Sequence, residues 1–132
     1  MFQTIIFVGV GSFVGGVLRY LVYLGTEALG WSSVWATFAV NMVGCLLLGF
    51  ISGAVSGGFN LGENMRLMLT VGVCGGFTTF STFVNDGFKM IAAGDIGPMA
   101  LYVGASLLLG LGMVYLGYWL GLIIGGFYKF NV

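Results

Sequence analysis

Apolar residues run almost without interruption along this chain, and polar residues collect in three short gaps. The gaps are 25–30, 57–64 and 93–97, each rich in the glycine and polar residues that end helices. Between them the pattern predicts four helices, over about 2–24, 31–56, 65–92 and 98–127. Each is long enough to cross a hydrocarbon layer, which takes about 20 apolar residues. Pro98 stands where a first helical turn tolerates proline. The first run lacks a basic leader and an A-x-A-like cleavage site, so it is expected to be retained. Gaps this short force neighbouring helices antiparallel and leave no room for a soluble domain. The whole chain, 1–132, reads as one four-helix membrane domain.

Composition sharpens this. Hydrophobic residues make up 59% of the chain, 25 residues are glycine and only 6% are charged, against about 25% charged in a soluble domain. That excludes a soluble globular protein, a nucleic-acid binder with a basic patch and a disordered chain. The expected surroundings are a lipid bilayer. Small residues recur at four-residue spacing, as Gly11 and Gly15, Ser12 and Gly16, and Gly117, Gly121 and Gly125, which lets helix backbones approach. Cys45 and Cys74 lie inside apolar runs and read as packing residues rather than a disulfide or metal site.

The few charges bear on orientation. Glu27, Glu63, Arg66, Asp86, Lys89, Asp95 and Lys129 fall in the gaps or near span ends, and Arg19 alone sits well inside an apolar run. Arg19 either snorkels to the interface or lines a water-filled vestibule. Arg66 and Lys129 belong to one side of the membrane, Lys89 and Arg19 to the other. With two positive charges against two, no orientation is favoured. The chain is therefore expected to insert both ways and to form antiparallel dimers. Four short helices make a thin wall, so an aqueous pathway is expected to need a second copy.

Three places depart from plain apolar helix. Asn41 lies mid-span, with Thr37 one turn before it and Gly44 about one turn after. A buried amide needs partners, and two roles stay open for it: a hydrogen bond that glues helices, or a donor facing a pore. The stretch Gly75-Gly76-Phe77-Thr78-Thr79-Phe80-Ser81-Thr82-Phe83 is a poor helix interior. It predicts a break at mid-membrane depth, tolerated only inside protein or beside a cavity. Phe80 and Phe83 share a face there; their ring edges are electropositive, and Ser81 and Thr82 add hydroxyls. On the fourth helix Tyr102 and Ser106 make a short polar face, which stops at Gly110 and Val114. With no histidine, no metal-ligand cluster and no acid–base pair, an enzyme is not expected.

These stretches together carry a resemblance. Gly15-Gly16-Val17-Leu18-Arg19-Tyr20, Asn41 followed by Gly44-Cys45 and Gly49, and the run from Gly75 to Phe83 resemble, in that order, the Fluc (CrcB-type) fluoride channels. The resemblance covers essentially the whole chain. It implies an all-α integral membrane protein with its third helix broken mid-membrane, in a dual-topology antiparallel homodimer with two pores. It further implies passive, selective fluoride export across the cell (inner) membrane, lowering fluoride toxicity. By motif, Asn41 would be a pore-facing amide, Phe80 and Phe83 an aromatic box meeting fluoride, and Arg19 would lie near a vestibule. Gly75 and Thr78 would offer backbone carbonyls to a structural sodium ion shared with the partner copy. Thr37, Ser81, Thr82, Tyr102 and Ser106 would be further pathway residues. In the family a hydroxyl track continues along the fourth helix, and here Gly110 and Val114 interrupt it. Two rivals remain: a small multidrug-type exporter, which needs a membrane-embedded acid that no span centre carries, and a non-conducting membrane assembly subunit.

Overall fold

The computed structural model describes residues 1–131. Helix α1 spans Phe2–Ala28 and α2 spans Ser33–Ser56. The third span opens as α3, Glu63–Leu67, passes into a π-helical stretch, Met68–Cys74, and closes its first half with the single turn α4, Gly75–Phe77. After two extended residues it resumes as α5, Phe80–Ala92, and α6 runs from Ile96 to Asn131. Among the described residues four helical stretches are long and apolar enough to cross a membrane. Each connection turns at a glycine of positive φ, such as Gly94 at 84°, a region open to glycine at little cost.

Glycine sets the packing. The principal pairing is α2 against α6, where Gly49 and Gly53 face Gly117, Gly121 and Gly125. A Cβ on Gly53 would collide with the Tyr118 carbonyl, and one on Gly121 with the Phe50 carbonyl. The two backbones are therefore in contact, as small-residue membrane packing allows. Helix α1 packs in the same way against the third span: Gly11 lies over the Met68 carbonyl and Gly15 over the Val73 carbonyl. The Ser12 row offers its backbone to Gly76, while the Cβ position of Gly16 itself faces open space.

Large apolar side chains point outward, with Phe13 73% and Leu108 75% exposed. The buried centre is small, comprising Ala36, Thr37 and Val40 on α2. This inverts the soluble pattern and suits a hydrocarbon surrounding.

The break falls inside the stretch that the sequence marks, at its threonines and not at its glycines. Gly75 and Gly76 remain helical, and the chain opens at Thr78 (φ −81°, ψ 159°) and Thr79 (φ −148°, ψ 114°). Gly76 is small for another reason: its Cβ would stand 2.6 Å from the Ser12 carbonyl of α1. The extended geometry falls on two β-branched residues that favour it. The π-helical turn before it carries no pattern readable in the sequence.

A correction concerns Asp86. Placed by the sequence in a gap or near a span end, it lies inside α5 and within the third apolar span, 3% exposed. It shares the buried face of α5 with Phe83, three residues earlier.

Candidate functional site

The break is held by one side chain. Asn41 Oδ1 accepts from the Thr79 amide at 2.8 Å, and Asn41 Nδ2 donates to the Thr79 carbonyl at 3.1 Å. The amide thus replaces the Gly75 carbonyl as partner of the Thr79 N–H and adds a donor to the Thr79 carbonyl, which as N-cap also accepts the first bond of α5. One N–H of Asn41 remains uncommitted, and Asn41 also lines the neighbouring cavity. Of its two open roles, the structure shows the glue directly and leaves a donor to spare.

Thr79 then starts α5. Its hydroxyl accepts from the Thr82 amide at 3.3 Å and donates to Thr82 Oγ1 at 2.9 Å, a side-chain N-cap. These diversions decide which carbonyls are freed. In an unbroken helix Gly75 O would accept from Thr79 N–H, and Thr78 O from Thr82 N–H; both donors now point elsewhere. Thr78 O accepts Arg19 Nη1 instead, at 3.4 Å. Neutral carbonyl oxygens are the ligand type a hard cation takes, but two make only part of a shell, and one of them already accepts the Arg19 guanidinium.

Beside the break lies a cavity of about 360 Å³. It brings together Asn41, Phe80, Phe83, Ser106, Gly75 and Thr78, all named by the sequence. Phe80 and Phe83 stand 6.1 Å apart with planes tilted 42°. Phe83 is buried, whereas Phe80 is 76% exposed, so one chain does not close an aromatic box. Ser106 Oγ is buried without a hydrogen-bond partner among the described residues. Cys45 and Cys74 are free thiols in the same wall.

The remaining expected residues divide. Thr37 and Tyr102 belong to a second cluster, reached from the cavity through Phe83, whose ring lies 5.2 Å from that of Tyr102. Thr37, fully buried, bonds Tyr23 OH at 2.6 Å and Asp86 Oδ2 at 2.8 Å. Tyr102 OH sits beside Thr37 and Asp86, within their electrostatic reach. Ser81 is exposed, Thr82 serves the cap, and neither lines the cavity. Arg19 is half-buried and reaches the break instead of lining that wall.

Thr79, Tyr23 and Asp86 went unrecognised in the sequence. The Thr79-x-x-Thr82 spacing was a legible cap signal; the partners of Tyr23 and Asp86 lie on other helices and left none. The polar face of α6 ends for a packing reason. Gly110 is buried, with its Cβ position 3.4 Å from Met42 Cε and 3.6 Å from Cys45 Sγ, and the Val114 carbonyl abuts Gly49. Beyond Ser106 that face is turned into α2.

The arrangement offers uncharged donors with free protons, on rigid helices, around a hollow of ion size or larger. It can replace an anion's water without supplying a fixed charge that would trap it.

A model of the family described as CrcB-like protein, Camphor Resistance (CrcB), matches residues 6–118. The fluoride-specific ion channel FluC of Bacteroides fragilis is 46% identical over 123 residues, covering 90% of this chain and 96% of that protein. The FluC of Phocaeicola vulgatus is 40% identical over 117 residues, covering 88% and 94%. That of Chlorobaculum tepidum is 42% identical over 115 residues, covering 87% and 91%.

Proposed function

The chain belongs to the CrcB family, and from that membership we propose that it is a passive, selective fluoride channel. It is a transport protein and not an enzyme. The observation that carries the reading is the buried Ser106 hydroxyl, which has no hydrogen-bond partner among the described residues and lines the cavity with Asn41, Phe80 and Phe83. A buried hydroxyl with no partner costs about 1–3 kcal/mol. A small anion passing through the cavity completes it, with Tyr102 one turn away on α6. Asn41's spare N–H and the edges of Phe80 and Phe83 supply further neutral contacts, and Thr37 borders the route through Tyr102. Fluoride, small and strongly hydrated, needs such close donors, and a narrow file rejects larger chloride.

The working unit is a dual-topology antiparallel homodimer with two pores in the cell (inner) membrane, where export lowers fluoride toxicity. Three features support it: the even division of positive charge, the 76% exposure of Phe80, and a cavity wall that one chain leaves open. Gly75 and Thr78 would hold a sodium ion through their freed carbonyls, with the same pair from the partner. That ion would supply a fixed charge locking the interface. Ser81 and Thr82 would border the route nearer the water.

The buried Asp86 is the one feature a proton-coupled exporter of small molecules would use. It is committed to Thr37, away from the cavity wall. Liposomes loaded with fluoride, followed by an external electrode, separate the readings. A channel releases fluoride down its gradient without an imposed pH gradient and retains chloride. Retained fluoride, or equal loss of both anions, overturns it.

Phe80→Ile keeps bulk and removes the ring edge. Aromatic contacts of this kind are worth about 1 kcal/mol, so flux is expected to fall about fivefold while size-exclusion profiles stay unchanged. Unchanged flux would remove Phe80 from the pathway.

A further inference from the structure

Past Ser106 the wall of α6 closes, as Gly110 packs on Met42 and Cys45 and Val114 on Gly49. A second groove, about 390 Å³, runs between α2 and the start of the third span. Leu48 and Thr70 line both this groove and the central cavity. The two hollows therefore share a wall. At the far end stands Arg66, with Ser52 and Ser56 opposite.

We propose that Arg66 and this groove form the anion entrance to the pathway, an inference that rests on the channel reading above. Arg66 is exposed, and its guanidinium holds no hydrogen bond or ion pair among the described residues. It stays charged at any physiological pH. Lys129 lies at the same end of the bundle, its side chain 3.0 Å from the Cβ position of Gly58, and Glu63 is the one acid there. The opposite side carries Lys89 and Arg19 with Glu27, Asp86 and Asp95. Basic residues are equal in number on the two sides, and the groove opens on the side with fewer acids.

The groove attracts without gripping. Ser52 Oγ donates to the Leu48 carbonyl and Thr70 Oγ1 to the Arg66 carbonyl, each at 2.9 Å. Their protons serve the helices themselves, which leaves the guanidinium as the groove's charged attractor. A charge at the mouth of a low-dielectric cleft focuses its field and raises the local concentration of small anions. The groove accepts any such anion, and selection among them lies deeper. Its contribution is to entry rate, and salt screens it: the Debye length shrinks from about 30 Å at 0.01 M to 3 Å at 1 M.

The test compares initial fluoride efflux from liposomes for wild type, Arg66→Lys, Arg66→Gln and Arg66→Glu. Fluoride is kept below half-saturation and ionic strength is set by an impermeant salt. At low ionic strength Arg66→Gln is expected to lose about threefold to tenfold and Arg66→Glu more, with Arg66→Lys recovering most of the loss. At 1 M salt the four rates are expected to converge. Equal rates at low salt, with wild type conducting, overturn the entrance and leave the channel reading intact. A loss common to Lys and Gln and indifferent to salt assigns Arg66 a structural role and also overturns it. Wild-type liposomes that retain fluoride overturn the channel reading and this inference together.

Discussion

Asn41→Leu is expected to abolish fluoride flux and to destabilise the fold by about 2–4 kcal/mol. The estimate comes from the Thr79 N–H left unsatisfied, at about 1–3 kcal/mol, and the loss of a second donor to the Thr79 carbonyl, at about 1 kcal/mol. In hydrocarbon no water replaces the amide, so the Thr79 peptide has nowhere to turn. The segment is expected to rewind towards regular helix, which would move Phe80, Phe83 and the freed carbonyls together. Asn41→Asp discriminates geometry from chemistry. It keeps an acceptor for the Thr79 amide, loses the donor to the Thr79 carbonyl and puts negative charge in an anion cavity. Its thermal midpoint should lie between those of Asn41→Leu and wild type, while its flux should be as low as that of Asn41→Leu. Electrode-measured efflux and thermal unfolding of the detergent-solubilised protein check both, and wild-type flux from Asn41→Leu would refute the assignment.

Gly121→Val is expected to prevent stable packing of α2 on α6. A Cβ there would strike the Phe50 carbonyl and lie 2.7 Å from the Ala54 amide nitrogen. Both obstacles are backbone, so no rotamer change relieves them and the helices must separate. Separation also lifts Gly117 from Leu46 and Gly125 from Ala54, because all three glycines share one face. Overpacking in cores costs about 1–3 kcal/mol, occasionally more, and a clash with rigid backbone belongs at the upper end. The expected readout is loss of a monodisperse size-exclusion peak. Gly112→Ala is the control on the same helix: nothing stands within 4 Å of its Cβ position, and alanine is the better helix former by roughly 0.8–1 kcal/mol. Equal behaviour of the two variants would contradict close packing as the cause.

How far this was legible in the sequence depends on the range of the interactions. Four long apolar runs, their short gaps and the scarcity of charge are local properties, and they translate directly into membrane-length helices. Glycines at four-residue spacing announced close packing, without saying that the fourth helix meets the second. The disturbed third span was visible from Gly75 to Phe83, and the break falls within it; which residues of the stretch open was not. Gly76 answers to Ser12 of α1, and the opening itself depends on what Thr79 can bond.

The sequence by itself determined the medium, the number of spans, the existence of a break and the family, since each is written in runs or contiguous motifs. The tertiary structure alone decided which polar groups are committed and which are free. Asn41 meets Thr79 across 38 residues, Thr37 meets Asp86 across 49 and Arg19 meets Thr78 across 59. A hydroxyl satisfied by a distant partner and one left open are the same letter in sequence. Thr37 is committed, Ser106 is open, and Asp86 is buried, because helix packing brings remote groups within hydrogen-bond range in a solvent that offers no substitute.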